Sequence, residues 1–165
     1  MLICCPFRRL HHLTLKHKER QIAKDILSLY PQLGDLQESF EFDHHDFECD
    51  QYLMEVKSRC TKYSSWIIEK MKVDANLLYA FSLNKMFLYI TEYNGRAYVW
   101  NITKMADNHY DFNWETRKMP ATTEFDNNEF VDKEVGYLYE KDATVISLVE
   151  ARTNHKQECL DHALE

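Results

Sequence analysis

The stretch from Glu41 to Arg59, EFDHHDFECDQYLMEVKSR, constrains the fold of this chain more than any other. It alternates as a β-hairpin with a turn at Asp50-Gln51. That turn sets Cys49 opposite Tyr52, Glu48 opposite Leu53, Phe47 opposite Met54 and Asp46 opposite Glu55. Successive side chains of a strand point to opposite faces. One face then carries Phe47, Cys49, Tyr52, Met54 and Val56, is apolar, and belongs on a core. The other carries Asp46, Glu55 and Lys57, with His44, Glu48 and Leu53. Carboxylates opposed across paired strands have Cβ atoms roughly 5 Å apart and repel each other. A cation between them removes that penalty. Two acids with a lysine two residues on are the parts of a divalent-metal site for phosphodiester hydrolysis. A bulge that shifted the face would bring in Asp43 as the alternative ligand.

Asp46, followed by Glu55-Val56-Lys57 on the next strand, resembles the D…ExK core of the PD-(D/E)XK nuclease superfamily. The chain order is similar over roughly residues 15 to 105: a helix with an inward glutamate, the hairpin, a second helix, then another hairpin. The resemblance implies an α/β or α+β fold with a restriction-endonuclease-like core. Its centre would be a mixed sheet of about five strands flanked by helices. It implies that Asp46 and Glu55 bind Mg²⁺, with Mn²⁺ expected to substitute, and that Lys57 activates or positions the attacking water. Glu19 matches the glutamate often found on the family's first helix. Lys72 corresponds to a basic residue on the following helix, and it and Arg59 are the expected substrate-binding cations. The implied substrate is nucleic acid, with DNA preferred, and a homodimer is expected if both strands are cut. The proline of the family motif is missing here, as it often is.

Glu19 shares a helical stripe with Ile22, Ala23, Ile26 and Tyr30 over residues 16–30, and Pro31 and Gly34 stop that helix. A carboxylate on an apolar stripe is costly unless paired. The alternative is a first-turn glutamate favoured by the helix dipole. Lys72 has its own plain alternative as a solvated lysine. Beyond the hairpin, Ser64 or Ser65 is read as the cap of a helix running to about Leu83, with Trp66, Ile67, Met71 and Leu78 as core residues. Asn94-Gly95 marks a type I′ hairpin turn in MFLYITEYNGRAYVWNIT, where Tyr89, Tyr98 and Trp100 are assigned to sheet packing before base stacking. Residues 104–135 read as a polar insertion or loop. GYLY and TVISLV offer one or two late strands, and Glu150–Glu165 a charged helical or frayed end.

At 165 residues the chain suits a single domain, 1–165, with the nuclease-like part at 15–105 and an acidic extension at 106–165. Five cysteines without a C-x-x-C pair argue against a disulfide framework or zinc ribbon and suit a reducing cytoplasm. No apolar run approaches the ~20 residues of a membrane span. Net charge is −7, unlike most DNA-binding surfaces, yet residues 1–20 carry +4 and residues 106–165 carry −8. A basic amino-terminal face is thus available to phosphate. His44-His45-Asp46 contains the H-D dipeptide of a helical phosphohydrolase class, but here it precedes a strand. Phosphate-loop, dinucleotide and hydrolase-elbow motifs are missing. The rival reading is a non-catalytic binding or regulatory module on a nuclease-like scaffold, which the acidic balance favours. A third reading leaves the polar face of the hairpin simply solvated.

Overall fold

A computed structural model describes residues 7–39, 44–121, 130–149 and 151–153, with side chains from Lys16 onward. Asp43 and the end of the chain from residue 154 lie outside the described residues. The fold is α+β. Helix α1 (Phe7–Leu29) is followed by a 3₁₀ turn at Pro31–Leu33. Strands β1 (Gln37–Glu38), β2 (Phe47–Glu48) and β3 (Tyr52–Arg59) come next. Then follow β4 (Trp66–Glu69), α2 (Lys70–Ser82), β5 (Met86–Tyr93), β6 (Arg96–Asn101) and α3 (Ile102–Asp107). Strands β7 (Glu115–Pro120), β8 (Phe130–Leu138) and β9 (Thr144–Ser147) complete the order. None of the described helices is long and apolar enough to cross a membrane.

The central sheet is mixed and six-stranded, ordered β1-β2-β3-β5-β6-β9, where about five strands are expected from sequence. Its β2–β3 register pairs Phe47 with Met54 and Glu48 with Leu53, as the alternation predicts. Strands β3 and β5 run parallel, joined through β4 and α2, and pair from Tyr52↔Met86 to Arg59↔Tyr93. The β5–β6 hairpin turns at Asn94 (φ 51°) and Gly95 (φ 76°). Positive φ at both central residues defines the type I′ turn that matches the twist of the flanking strands.

Both faces of β3 are covered. Met54 and Val56 join Phe47, Cys49 and Ile90 beneath Ile22, Ala23 and Ile26 of α1. On the other face Leu53 joins a second cluster with Trp66, Ile68, Val73, Phe87, Trp100 and Leu138. Leu53, assigned from sequence to a polar face, is fully buried. This arrangement explains Glu55, a charged residue only 4% exposed in the middle of a sheet covered on both sides. Tyr89, Tyr98 and Trp100 are buried in the same cluster, in line with their assignment to packing.

Three expectations are corrected. Residues 66–69 form a strand where a helix is expected. Trp66 and Ile68 are buried while Ile67 and Glu69 are half-buried, a period of two that pairs β4 with β8. The helix therefore begins at Lys70 and buries Val73, Asn76 and Ala80; Met71 and Leu78 are 67% and 72% exposed. Second, α1 begins at Phe7, well before residue 16, because no Gly or Pro interrupts the segment to Tyr30 and its Arg, Leu and Lys favour helix. Tyr30 falls past its end and is exposed. Third, the polar stretch 104–135 contains most of α3, strand β7 and part of β8; β4, β8 and β7 make a separate three-stranded antiparallel sheet. Phe112 and Leu138, beyond residue 105, lie in the same core cluster as Leu53.

The strand at 66–69 makes Ile68 a core residue and Met71 a surface one. Ile68→Ala should cost about 3 kcal/mol and Met71→Ala less than about 0.5 kcal/mol in urea unfolding. Equal losses at the two positions would restore the helix.

Candidate active site

The site forms where β2 stops and β3 continues. Strand β2 pairs only with Leu53 and Met54, whereas β3 extends to Arg59. Among the described residues, the outer backbone edge of β3 is therefore without a strand partner from Val56 onward. Asp46 covers its start. The Asp46 amide donates to the Met54 carbonyl at 2.9 Å, although Met54 already pairs with Phe47. Two residues opposite one is the geometry of a bulge. Asp46 is thereby taken out of the ladder position opposite Glu55 that simple alternation predicts. Its Oδ2 instead accepts the Val56 amide at 2.8 Å, where a backbone carbonyl of β2 would otherwise stand.

The same oxygen meets Lys57. The Lys57 Nζ lies 3.3 Å from Asp46 Oδ2, 2.9 Å from Glu55 Oε1 and 3.9 Å from Glu19 Oε1. Glu55 and Lys57 share a face of β3 because they are two residues apart. Glu19 comes from α1, one turn before the buried Ile22 and Ala23. Lys72 of α2 reaches Glu55 Oε1 from the other side at 3.5 Å. Four separate segments thus bring Glu19, Asp46, Glu55, Lys57 and Lys72 together. Arg59 is different: it is exposed at the end of β3 and makes no ion pair among the described residues.

Burial sets the protonation of this cluster. It pushes the Glu19 carboxyl up to about 7; the Asp46 and Glu55 charges add to the rise and Lys57 opposes it. It also raises Glu55, with Asp46 adding and Lys57 and Lys72 opposing. For Lys57 burial works toward the neutral amine, but Glu55, Asp46 and Glu19 together outweigh it and hold the ammonium charged. Tyr89, paired with Glu55 in the β3–β5 register, is buried and its phenol is raised by that burial. Three acids face two ammonium groups here, and the proton that burial retains on Glu19 offsets that excess of acid.

Carboxylate oxygens suit a hard cation such as Mg²⁺, which takes one or two carboxylates and keeps several waters. Asp46 and Glu55 would hold such an ion, with Glu19 beside them. Among the described residues no group of three or more His, Cys, Asp or Glu side chains is placed to hold a metal ion, so a cation here would rest on the two carboxylates of Asp46 and Glu55. The Lys57 ammonium bridges the two acids, so a cation and the ammonium compete for the same oxygens.

A second group, not expected from the sequence, lies behind Asp46. His45 is buried and its Nε2 is 3.0 Å from Glu48 Oε1, while Lys85 Nζ donates to Glu48 Oε2 at 2.8 Å. Asn76 Nδ2 donates to the His44 carbonyl at 3.0 Å, and the Tyr79 ring lies 5.5 Å from that of His45. Lys72, Asn76 and Tyr79 are spaced i, i+4, i+7 on α2, hence on one side of it. That spacing is the signal in the sequence that could have identified them. No family model and no curated protein sequence matches the chain.

The Glu19 shift carries a pH dependence. Glu19 titrates near 4.5 unfolded and about 7 folded. Between those values the folded protein keeps a proton that the unfolded chain releases, so stability falls as pH rises through that window. The total is at most about 3 kcal/mol and is lost above pH 7. Glu19→Gln should flatten this slope and raise the urea midpoint at pH 8 relative to wild type. An unchanged slope with a lower midpoint at pH 8 would mean that the pairing with Lys57 outweighs burial.

Proposed function

We propose that this chain is a Mg²⁺-dependent endonuclease of the PD-(D/E)XK type, acting on DNA and using Mn²⁺ as a substitute. One observation carries the reading: Lys57 Nζ holds Asp46, Glu55 and Glu19 from three segments within 3.9 Å. The order α1, β2–β3 hairpin, α2, then β5 parallel to β3 supports a restriction-endonuclease-like core. The bound metal would supply Lewis-acid stabilisation of the phosphate and a more acidic water. Asp46 and Glu55 hold the metal. The Lys57 ammonium, kept charged by its neighbours, orients the attacking water and offsets negative charge as it develops. Glu19 steadies that ammonium when it leaves the acid pair. Lys72 and Arg59 meet phosphates flanking the scissile bond, and two copies of the chain serve a duplex cut on both strands.

A second reading is a binding or regulatory module on the same scaffold. The net charge of −7 favours it, since an acidic chain repels the phosphate backbone. Turnover separates the two. Purified protein would be assayed on plasmid, nicked, branched and single-stranded DNA with Mg²⁺ and Mn²⁺, alongside metal titration calorimetry. Asp46→Asn and Glu55→Gln should lose both metal binding and cleavage while remaining folded. Lys57→Ala removes the ammonium that competes for the Asp46 and Glu55 oxygens, so it should bind metal at least as tightly as wild type yet slow cleavage by about 10²–10³-fold, the scale of removing one electrostatic partner of a transition state. Full Mg²⁺-dependent cleavage by Asp46→Asn or Glu55→Gln would refute the assignment. Metal binding without turnover on any substrate would favour the module.

A further inference from the structure

We infer that His45 and Asn76 are positioning residues that clamp the Asp46 loop in the orientation needed to bind a divalent cation. The inference rests on the metal-site reading above, and it adds residues that never touch the ion.

Asp46 sits on a bulge just before β2, and a bulged residue lacks the regular ladder that would fix its direction. Its amide reaches the Met54 carbonyl at 2.9 Å, and the two residues before it are held as well. The His44 carbonyl accepts from Asn76 Nδ2 at 3.0 Å. The side chain of His45 is 1% exposed and meets Glu48 Oε1 at 3.0 Å. Glu48 is in turn fixed by Lys85 at 2.8 Å. The Tyr79 ring lies 5.5 Å from the His45 ring and limits its rotation. Asp46 is therefore pinned through its preceding residues by α2 and, through Glu48, by the segment leading into β5.

Asn76 gives an independent reason. It is 1% exposed within the apolar side of α2, and its Oδ1 is buried without a partner among the described residues. An unsatisfied amide oxygen in a core is destabilising, and an apolar residue of similar size would remove that cost. The feature that asparagine adds is its bond to the His44 carbonyl. The same side of α2 carries Lys72, which contacts Glu55 at 3.5 Å. One helix thus sets the position of both acids, Glu55 directly and Asp46 through its loop. Partners behind the ligands of a metal site hold them in orientation, and their removal typically weakens metal binding about 10–100-fold.

Two readouts test the clamp, and one needs no metal. Val56 donates its amide to Asp46 Oδ2, so hydrogen exchange at Val56 reports the position of that carboxylate. In metal-free His45→Ala and Asn76→Ala, exchange at Val56 should accelerate at least about tenfold relative to Ile90, a core position of the same sheet. His45→Gln, which retains a side-chain donor, should recover most of the protection. In parallel, Mg²⁺ affinity by calorimetry should fall about 10–100-fold in the two alanine variants. It should stay unchanged in Ile68→Ala, which weakens the core away from the loop. Val56 exchange that tracks Ile90 in every variant would overturn the clamp. So would wild-type Mg²⁺ affinity in folded His45→Ala and Asn76→Ala. Accelerated Val56 exchange in a protein whose wild type binds no Mg²⁺ would support the clamp and overturn the metal reading instead.

Discussion

The bond from the Val56 amide to Asp46 Oδ2, 2.8 Å long, joins the backbone of the central sheet to the chemistry of the site. Strand β2 is two residues long, too short to cover β3. A backbone donor left bare at a partly buried edge is costly, and it needs a substitute acceptor. The Asp46 carboxylate supplies one and so is fixed beside Lys57. The opposite edge of β3 is saturated by eight parallel pairs with β5, which hold Glu55 and Lys57 in register with Tyr89 and Thr91. The site is what remains where one side of a central strand is fully paired and the other is not.

Around that point the charges keep one another in place. Glu55 alone, 4% exposed, would be neutral or would weaken the fold. Lys57 and Lys72 keep its charged form accessible, and Glu19 and Asp46 keep Lys57 charged. Removing one partner of such a group leaves an uncompensated charge and is more damaging than the pair is stabilising. A cluster of two ammonium groups and three acids, one of which titrates near neutral pH, is a poor device for stability alone. Its stability cost is the physical reason to seek a function in it.

Much of the site was legible in the sequence because strand alternation is a rigid rule. It places Glu55 and Lys57 on one face and pairs Phe47 with Met54, while the Asn-Gly dipeptide marks the turn between β5 and β6. It failed where the backbone departs from the rule. The bulge at Asp46 leaves no mark in residue type, so alternation sets Asp46 opposite Glu55 where the structure does not, although the contact with Lys57 is present. Trp66–Glu69 is four residues long, too short for its period to be separated from the helix that follows it. Strand β7, with Glu115 to Lys118 all exposed, has no buried face to reveal it. Burial of Leu53 and of Glu55 depends on the second sheet and α2 covering that face, which no local pattern in the hairpin contains. Asn76 and His45 were missed for a similar reason: their partners are a backbone carbonyl and a glutamate brought near only by the fold.

As proposed, Asp46 and Glu55 would hold a divalent cation where the Lys57 ammonium now bridges them. Anomalous diffraction from crystals soaked in Mn²⁺ tests it most directly. A single strong peak in contact with both carboxylates is expected, with the Lys57 ammonium displaced from between them. A Mn²⁺ peak elsewhere, or Lys57 still bridging Asp46 and Glu55 at saturating Mn²⁺, would contradict it.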